Sequence, residues 1–195
     1  MTPLDPLSIA VLVARILDEL EIPYVIGGSV ASSLHGEPRS TLDLDLMIEA
    51  GVEKTRALAG LLQSSCYVDE DYAVEASRRR TSFNAIHFES SMKIDFFFTE
   101  SAPFAADQLR RRQAVAFPSG AELFFYTPED LVIRKLLWFR AGGESSQRQW
   151  RDVLGVLKTS GNLIDLAYLR LTASSLELVP LLDRALEQAG GESRL

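Results

Sequence analysis

Residues 42–48 read Leu-Asp-Leu-Asp-Leu-Met-Ile, a two-residue alternation that an extended strand satisfies and a helix does not. In a strand, Leu42, Leu44 and Leu46 share one face while Asp43 and Asp45 share the other. Asp is disfavoured in strands, and two carboxylates this close repel each other unless a cation lies between them. The segment therefore sets an apolar face toward a core and an acidic face toward either solvent or metal. A divalent pair about 3.5–4 Å apart is the common chemical use of such a cluster, and hard Mg2+ suits its oxygen ligands. A solvated face on an edge strand is the plainer alternative.

The chain just before this strand carries a second local signal. Tyr24–Ile26 is a short apolar strand that runs into Gly27, Gly28 and Ser29. Ser29 is suited to cap a helix over Val30–His35, with Gly36 just past its end. Paired glycines between strand and helix let a ligand approach the backbone, and a helix start offers amide groups to phosphate. Tight strand–helix turns also use glycine for steric reasons alone.

The remaining pattern alternates helix and strand up to Thr127 and is helical afterwards. Asp5–Pro6 reads as a cap and first turn for a helix over Leu7–Glu21, stopped by Pro23. Lys54–Ser64, Asp71–Arg80 and Phe104–Arg112 have helical spacing. Cys66–Asp69, Phe83–Phe88, Met92–Phe98, Ala114–Phe117 and Glu122–Tyr126 read as strands, the second and third forming a hairpin. Thr127-Pro128-Glu129-Asp130 combines a cap, a first-turn proline and an acidic first turn. Helices are expected thereafter over Leu131–Phe139, Gln147–Thr159, Leu163–Ser174 and Pro180–Gln188. The expected fold is α+β: a small mixed sheet flanked by helices in residues 1–127, with a helical C-terminal part, 128–195, packed on it.

Composition bounds the function. With 195 residues and a formal charge of −7, the chain suits one domain with an appendage and argues against a general nucleic-acid coat. Cys66 is the single cysteine, and with only His35 and His87 beside it neither a disulfide nor a zinc cluster is expected. Met1–Asp5 lacks the positive start of a signal peptide, Arg15 interrupts the first apolar run, and no stretch is a membrane span. A cytoplasmic location is the expectation.

Asp95 lies in Lys93-Ile94-Asp95-Phe96-Phe97-Phe98, where an unpaired buried carboxylate would be costly. It either joins Asp43 and Asp45 from a neighbouring strand or pairs with Lys93 or an arginine. Lys135, in a helix apolar nearly all round, either reaches toward a ligand or extends past its neighbours to water. Asp152 either orients Lys135 or forms an i,i+4 pair with Arg148. Arg39 either contacts phosphate or braces the turn before the Asp strand. The triplets Arg78–Arg80 and Arg110–Arg112 either guide a polyanionic acceptor or are solvated helix faces. His87 is expected to be packed or paired, and His35 has no evident partner.

Gly27-Gly28-Ser29, followed by His35-Gly36, Arg39, Thr41 and Asp43-Leu44-Asp45-Leu46, resembles the signature of the nucleotidyltransferase superfamily. It is most similar to the minimal nucleotidyltransferase and AbiEii toxin-like branch. The resemblance resumes at Leu131–Arg140 and Arg148–Lys158. It implies that Asp43, Asp45 and Asp95 ligate two Mg2+ ions, with Mn2+ as an alternative, and that Asp95 is the base for an acceptor hydroxyl. It implies nucleotide binding by Gly27, Gly28, Ser29, Arg39, Lys135 and Asp152. The reaction would move a nucleoside monophosphate from a nucleoside triphosphate to an unidentified RNA, protein or small-molecule acceptor. A cognate antitoxin or toxin partner is also implied.

Two other readings compete. One is a non-catalytic binding module of a toxin–antitoxin pair that retains the fold. The other takes Asp43-Leu44-Asp45 as an aspartate-based phosphatase motif. That motif ends a wholly apolar strand, whereas here Ser40-Thr41 precede the pair and Leu46-Met47-Ile48 follow it.

Overall fold

The computed structural model describes residues 6–99, 103–118 and 120–191, so the capping role read for Asp5 lies outside the described residues. The chain divides into two compact units. The first comprises residues up to Val30 together with Ser40–Phe125; the second comprises Ala31–Arg39 together with residues from Tyr126 onward.

The first unit is a seven-stranded mixed sheet with helices. Its strands are β1 (Tyr24–Ile26), β2 (Asp43–Ile48), β3 (Cys66–Val68), β4 (Ser82–His87), β5 (Lys93–Phe98), β6 (Gln113–Ala116) and β7 (Glu122–Phe125). They lie in the order β3-β4-β5-β2-β1-β7-β6. β2 runs parallel to β5 and antiparallel to β1, and β4 and β5 form the expected hairpin. Alternation dictates what each face does. Leu44, Leu46, Phe83, Ala85, Ile94 and Phe96 are buried, and α1 (Pro6–Glu19), α3 (Val52–Leu62) and α4 (Glu70–Arg79) pack with the sheet through their own apolar residues. Each fully buried Leu, Ile or Phe contributes about 1.5–3 kcal/mol. The opposite face of β2, β5 and β4 carries Asp43, Asp45, Lys93, Asp95, Asn84 and Ile86, all at least partly accessible.

α2 (Gly28–His35) follows β1 directly. It starts at Gly28, two residues earlier than a Ser29 cap requires, so Ser29 lies in its first turn. α5 (Pro103–Arg111) precedes β6.

The second unit is helical: α6 (Pro128–Ala141), α7 (Gln147–Ser160), α8 (Leu166–Ser175) and α9 (Val179–Gly191). α6 is buried on most sides, through Leu131, Val132, Ile133, Leu136 and Phe139. Thr127 caps it by accepting from the Asp130 amide. The acidic first turn also anchors α8: the Glu129 carboxylate accepts from the Asp165 amide at 2.8 Å, and Asp130 accepts from the Tyr168 hydroxyl at 2.7 Å. Ala31–Arg39 joins this unit for identifiable reasons. The Ser160 hydroxyl donates to the His35 carbonyl, and Gly36 lies so close to Gly155 and Val156 that a Cβ would meet their backbone at 3.0 Å. His35, for which the sequence suggests no partner, has its Nε2 2.8 Å from the Tyr126 carbonyl. Burial lowers the His35 pKa despite that bond and the nearby Glu129.

Candidate active site

The turn after β1 is built around Asp45. The Gly27 amide donates to the Asp45 carbonyl at 2.9 Å, continuing the β1–β2 ladder by one residue. Gly28 then adopts φ +55° and swings the chain into α2. A Cβ at Gly28 would overlap the Asp45 carboxylate, lying 2.6 Å from its Cγ and 2.9 Å from its Cβ. Glycine is required here twice over, for its left-handed backbone and for the room it leaves Asp45. The strand–turn–helix and the first half of the Asp-x-Asp strand are thus one packed feature.

Asp43 starts β2, and its amide donates to the Thr41 hydroxyl, which itself donates to the Asp43 carbonyl. Across the parallel β2–β5 pair, Asp45 faces Asp95 and Asp43 faces Lys93. Neighbouring strands are about 4.8 Å apart, so the three carboxylates sit on one small area of the sheet. Lys93 Nζ bonds to Asp95 Oδ1 at 2.8 Å, which is the pairing open from the sequence. That hydrogen bond raises the Lys93 pKa; burial opposes the rise, and the charges of Asp95, Asp43 and Asp45 add to it. An ammonium therefore offsets part of the carboxylate repulsion.

The donor set fits Mg2+ in chemistry: hard carboxylate oxygens on one face, with the Gly28 cradle holding Asp45 close to the backbone. Among the described residues, however, no group of three or more His, Cys, Asp or Glu side chains is arranged to hold a metal ion.

The second unit holds the other three expected residues, also together. Asp152 on α7 accepts from Arg39 Nε and Nη2, each at 3.2 Å, and from Lys135 Nζ at 2.8 Å. Lys135 also donates to Gln149 at 3.3 Å. The Lys135 side chain is only 5% exposed, so it does not extend to water, and Asp152 serves Arg39 and Lys135 where the sequence also allowed Arg148. Burial pushes the Asp152 pKa up, but the hydrogen bonds and charges of Arg39 and Lys135 outweigh it and hold the carboxyl below its usual range. Gln149 was not anticipated; its position three residues before Asp152 on one helix face is the signal that could have marked it.

Most members of the basic triplets make local contacts within the first unit. Arg78 and Arg79 pair with Glu75, and Arg80 caps α4 while donating to the Thr99 and Ala50 carbonyls. Arg110 pairs with Asp107, and Arg112 lies over the Phe124 ring. The ring of His87 contacts Ser90, as a packed strand residue should.

This sheet, with an acidic strand following a Gly-Gly turn, defines the nucleotidyltransferase fold. The chain belongs to the nucleotidyl transferase AbiEii toxin family of type IV toxin–antitoxin systems, whose profile matches residues 11–190, and it is a nucleotidyltransferase. A sequence search of curated proteins finds no match. Among solved structures, it is similar to an antigenic nucleotidyltransferase-like protein from Paracoccidioides brasiliensis. That match has 18% identity and a TM-score of 0.59, covering 92% of this chain and 91% of the other. It is also similar to the antibiotic-resistance factor ANT(2'')-Ia, with 15% identity and a TM-score of 0.57, covering 92% and 98%. Among the described residues no helix is long and apolar enough to cross a membrane.

Proposed function

We propose that the protein is a Mg2+-dependent, cytoplasmic enzyme that transfers a nucleoside monophosphate from a nucleoside triphosphate to an acceptor hydroxyl, with toxin-like activity held in check by a cognate antitoxin. The observation that carries this reading is the packing of Gly28 against the Asp45 carboxylate, with Asp43 beside it and Asp95 opposite. It joins a backbone suited to phosphate with a carboxylate pair suited to cations.

Asp43 and Asp45 would hold the metal, with Asp95, whose Oδ1 is engaged by Lys93, as third ligand. When bound, Mg2+ would supply positive charge against that developing on the attacking and leaving oxygens. Gly27, Gly28 and Ser29 hold the β- and γ-phosphates and fix the α-phosphorus beside Asp45. The acceptor oxygen then bonds to the α-phosphorus as the bond to the bridging oxygen breaks. Pyrophosphate leaves, and the acceptor proton passes to the Asp95 carboxylate. Positioning supplies most of the acceleration. Arg39, Lys135 and Asp152 carry the nucleotide-binding role only if their variants change nucleotide affinity.

The Lys93–Asp95 bond is what favours the rival reading, a binding module with a silent site. Incubation with each α-labelled nucleoside triphosphate, Mg2+ and extract separates the two. Label transfer that disappears in Asp43→Asn and Asp45→Asn supports the enzyme; transfer that survives both substitutions contradicts the site assigned.

A further inference from the structure

In-line displacement places the attacking oxygen and the departing pyrophosphate on opposite sides of the α-phosphorus. With the phosphates on Gly27, Gly28 and Ser29, which flank β2 on its β1 side, the acceptor must come from the β5 side. There the sheet face continues as register partners: Asp45, Asp95 and Asn84 in one row, and Asp43, Lys93, Ile86 and Tyr67 in the next. Phe88 follows Ile86 by two residues, in the turn just past β4, where its amide donates to the Ser65 carbonyl beside Tyr67. Tyr67 is 64% exposed, Phe88 61% and Ile86 42%. A single exposed apolar side chain is ordinary, but three adjoining ones beside a carboxylate cluster mark a binding surface. Three strand spacings put Tyr67 about 14 Å from Asp43, which is the length of a small molecule.

Charge decides the class of acceptor. Beyond the three site carboxylates, exposed Glu89 adjoins Phe88, and exposed Asp69 follows Tyr67 by two residues. Lys93 is the one cation among these strand residues, and Asp95 holds it. Arg80 is tied to carbonyls beyond the C-terminal ends of β2 and β5, the ends away from Asp43, and Arg112 is tied to β7. A polyphosphate backbone laid here would meet carboxylates where it needs Lys and Arg.

The geometry points to Tyr67, Ile86 and Phe88 as the acceptor platform, and to an acceptor that is a small, neutral or cationic hydroxyl compound bearing a flat ring. This rests on the transferase reading above. The ring stacks on Tyr67 and Phe88 across Ile86, and its hydroxyl reaches toward Asp95.

The test uses the full chain and follows the aromatic NMR resonances of Tyr67 and Phe88. Pyridoxine, histidinol and benzyl alcohol are titrated separately at millimolar concentration, then an ACCA oligoribonucleotide, then ATP with Mg2+. Saturable shifts with at least one ring alcohol are expected, with affinity falling about tenfold in Tyr67→Ala or Phe88→Ala and persisting in Tyr67→Trp. The oligonucleotide should leave both resonances in place. If no ring alcohol shifts them while ATP with Mg2+ still binds, the platform is overturned and the transferase reading stands. If the oligonucleotide shifts them instead, the acceptor class is overturned. If ATP with Mg2+ also fails to bind, both inferences fall together.

Discussion

Replacing Asp152 by alanine removes the shared counter-ion of two cations. Lys135, with a side chain only 5% exposed, keeps its hydrogen bond to Gln149 but loses its carboxylate, and Arg39 loses both of its bonds to Asp152. Removing one partner of a buried ion pair in this way costs about 3–5 kcal/mol, a large share of the ~5–15 kcal/mol that holds a typical domain. At about 2–4 °C per kcal/mol for a chain of this size, the melting temperature should fall by roughly 6–20 °C. Urea unfolding followed by tryptophan fluorescence is the assay, because both tryptophans, Trp138 and Trp150, lie on α6 and α7 of the same unit. Lys135→Met should cost less, since Asp152 keeps Arg39 and a methionine suits the apolar surroundings. The double variant should recover much of the Asp152→Ala loss. The Asp152 pKa is depressed in the folded state, so its contribution is present above the unfolded value of about 3.9 and is lost as pH falls through the folded value. The gap between Asp152→Ala and the unaltered protein should therefore close in acid. An Asp152→Ala cost below ~1 kcal/mol, or a double variant no better than that single one, refutes the account of this cluster.

Gly28→Ala should cost at least about 1–2 kcal/mol through its positive φ and abolish ATP–Mg2+ binding by displacing Asp45, read by denaturation and calorimetry. Gly60→Ala, in the last turn of α3 with open space around it, should stabilise by up to about 0.5–1 kcal/mol in the same denaturation series. Lys93→Met removes the resident cation beside Asp95, so calorimetry should find tighter Mg2+ binding; unchanged or weaker binding would mean Lys93 does not compete with metal. Thr127→Ala removes the cap of α6 and should cost about 1 kcal/mol by tryptophan-monitored unfolding.

What was readable from the sequence follows a physical rule: local periodicity and turn chemistry are visible, and long-range pairing is not. The alternation of Leu42–Ile48 announces both β2 and its acidic face, and Thr127-Pro128 announces α6, because the causes lie within a few residues. The Asp45–Asp95 register depends on a parallel pairing across some fifty residues, so the local sequence offered their meeting only as one of two alternatives. The Lys93–Asp95 pair was one of two readings, and nothing local could choose between them. Arg39 and Asp152 are 113 residues apart, so their bond is a property of the fold alone. The same holds for His35 and Tyr126, and for the placement of Ala31–Arg39 in the helical unit. Ser29 lies in the first turn of α2 rather than at its cap because the chain turns into the helix at Gly28, whose positive φ and contact with Asp45 on the next strand are not local signals.

The central claim is that Asp43 and Asp45 together bind metal with a nucleoside triphosphate. Paramagnetic resonance of Mn2+, titrated into the protein with a non-hydrolysable ATP analogue, tests it most directly. The account predicts bound Mn2+ in the unaltered protein that depends on the nucleotide and disappears in Asp43→Asn/Asp45→Asn. Equal binding by that folded double variant would contradict it.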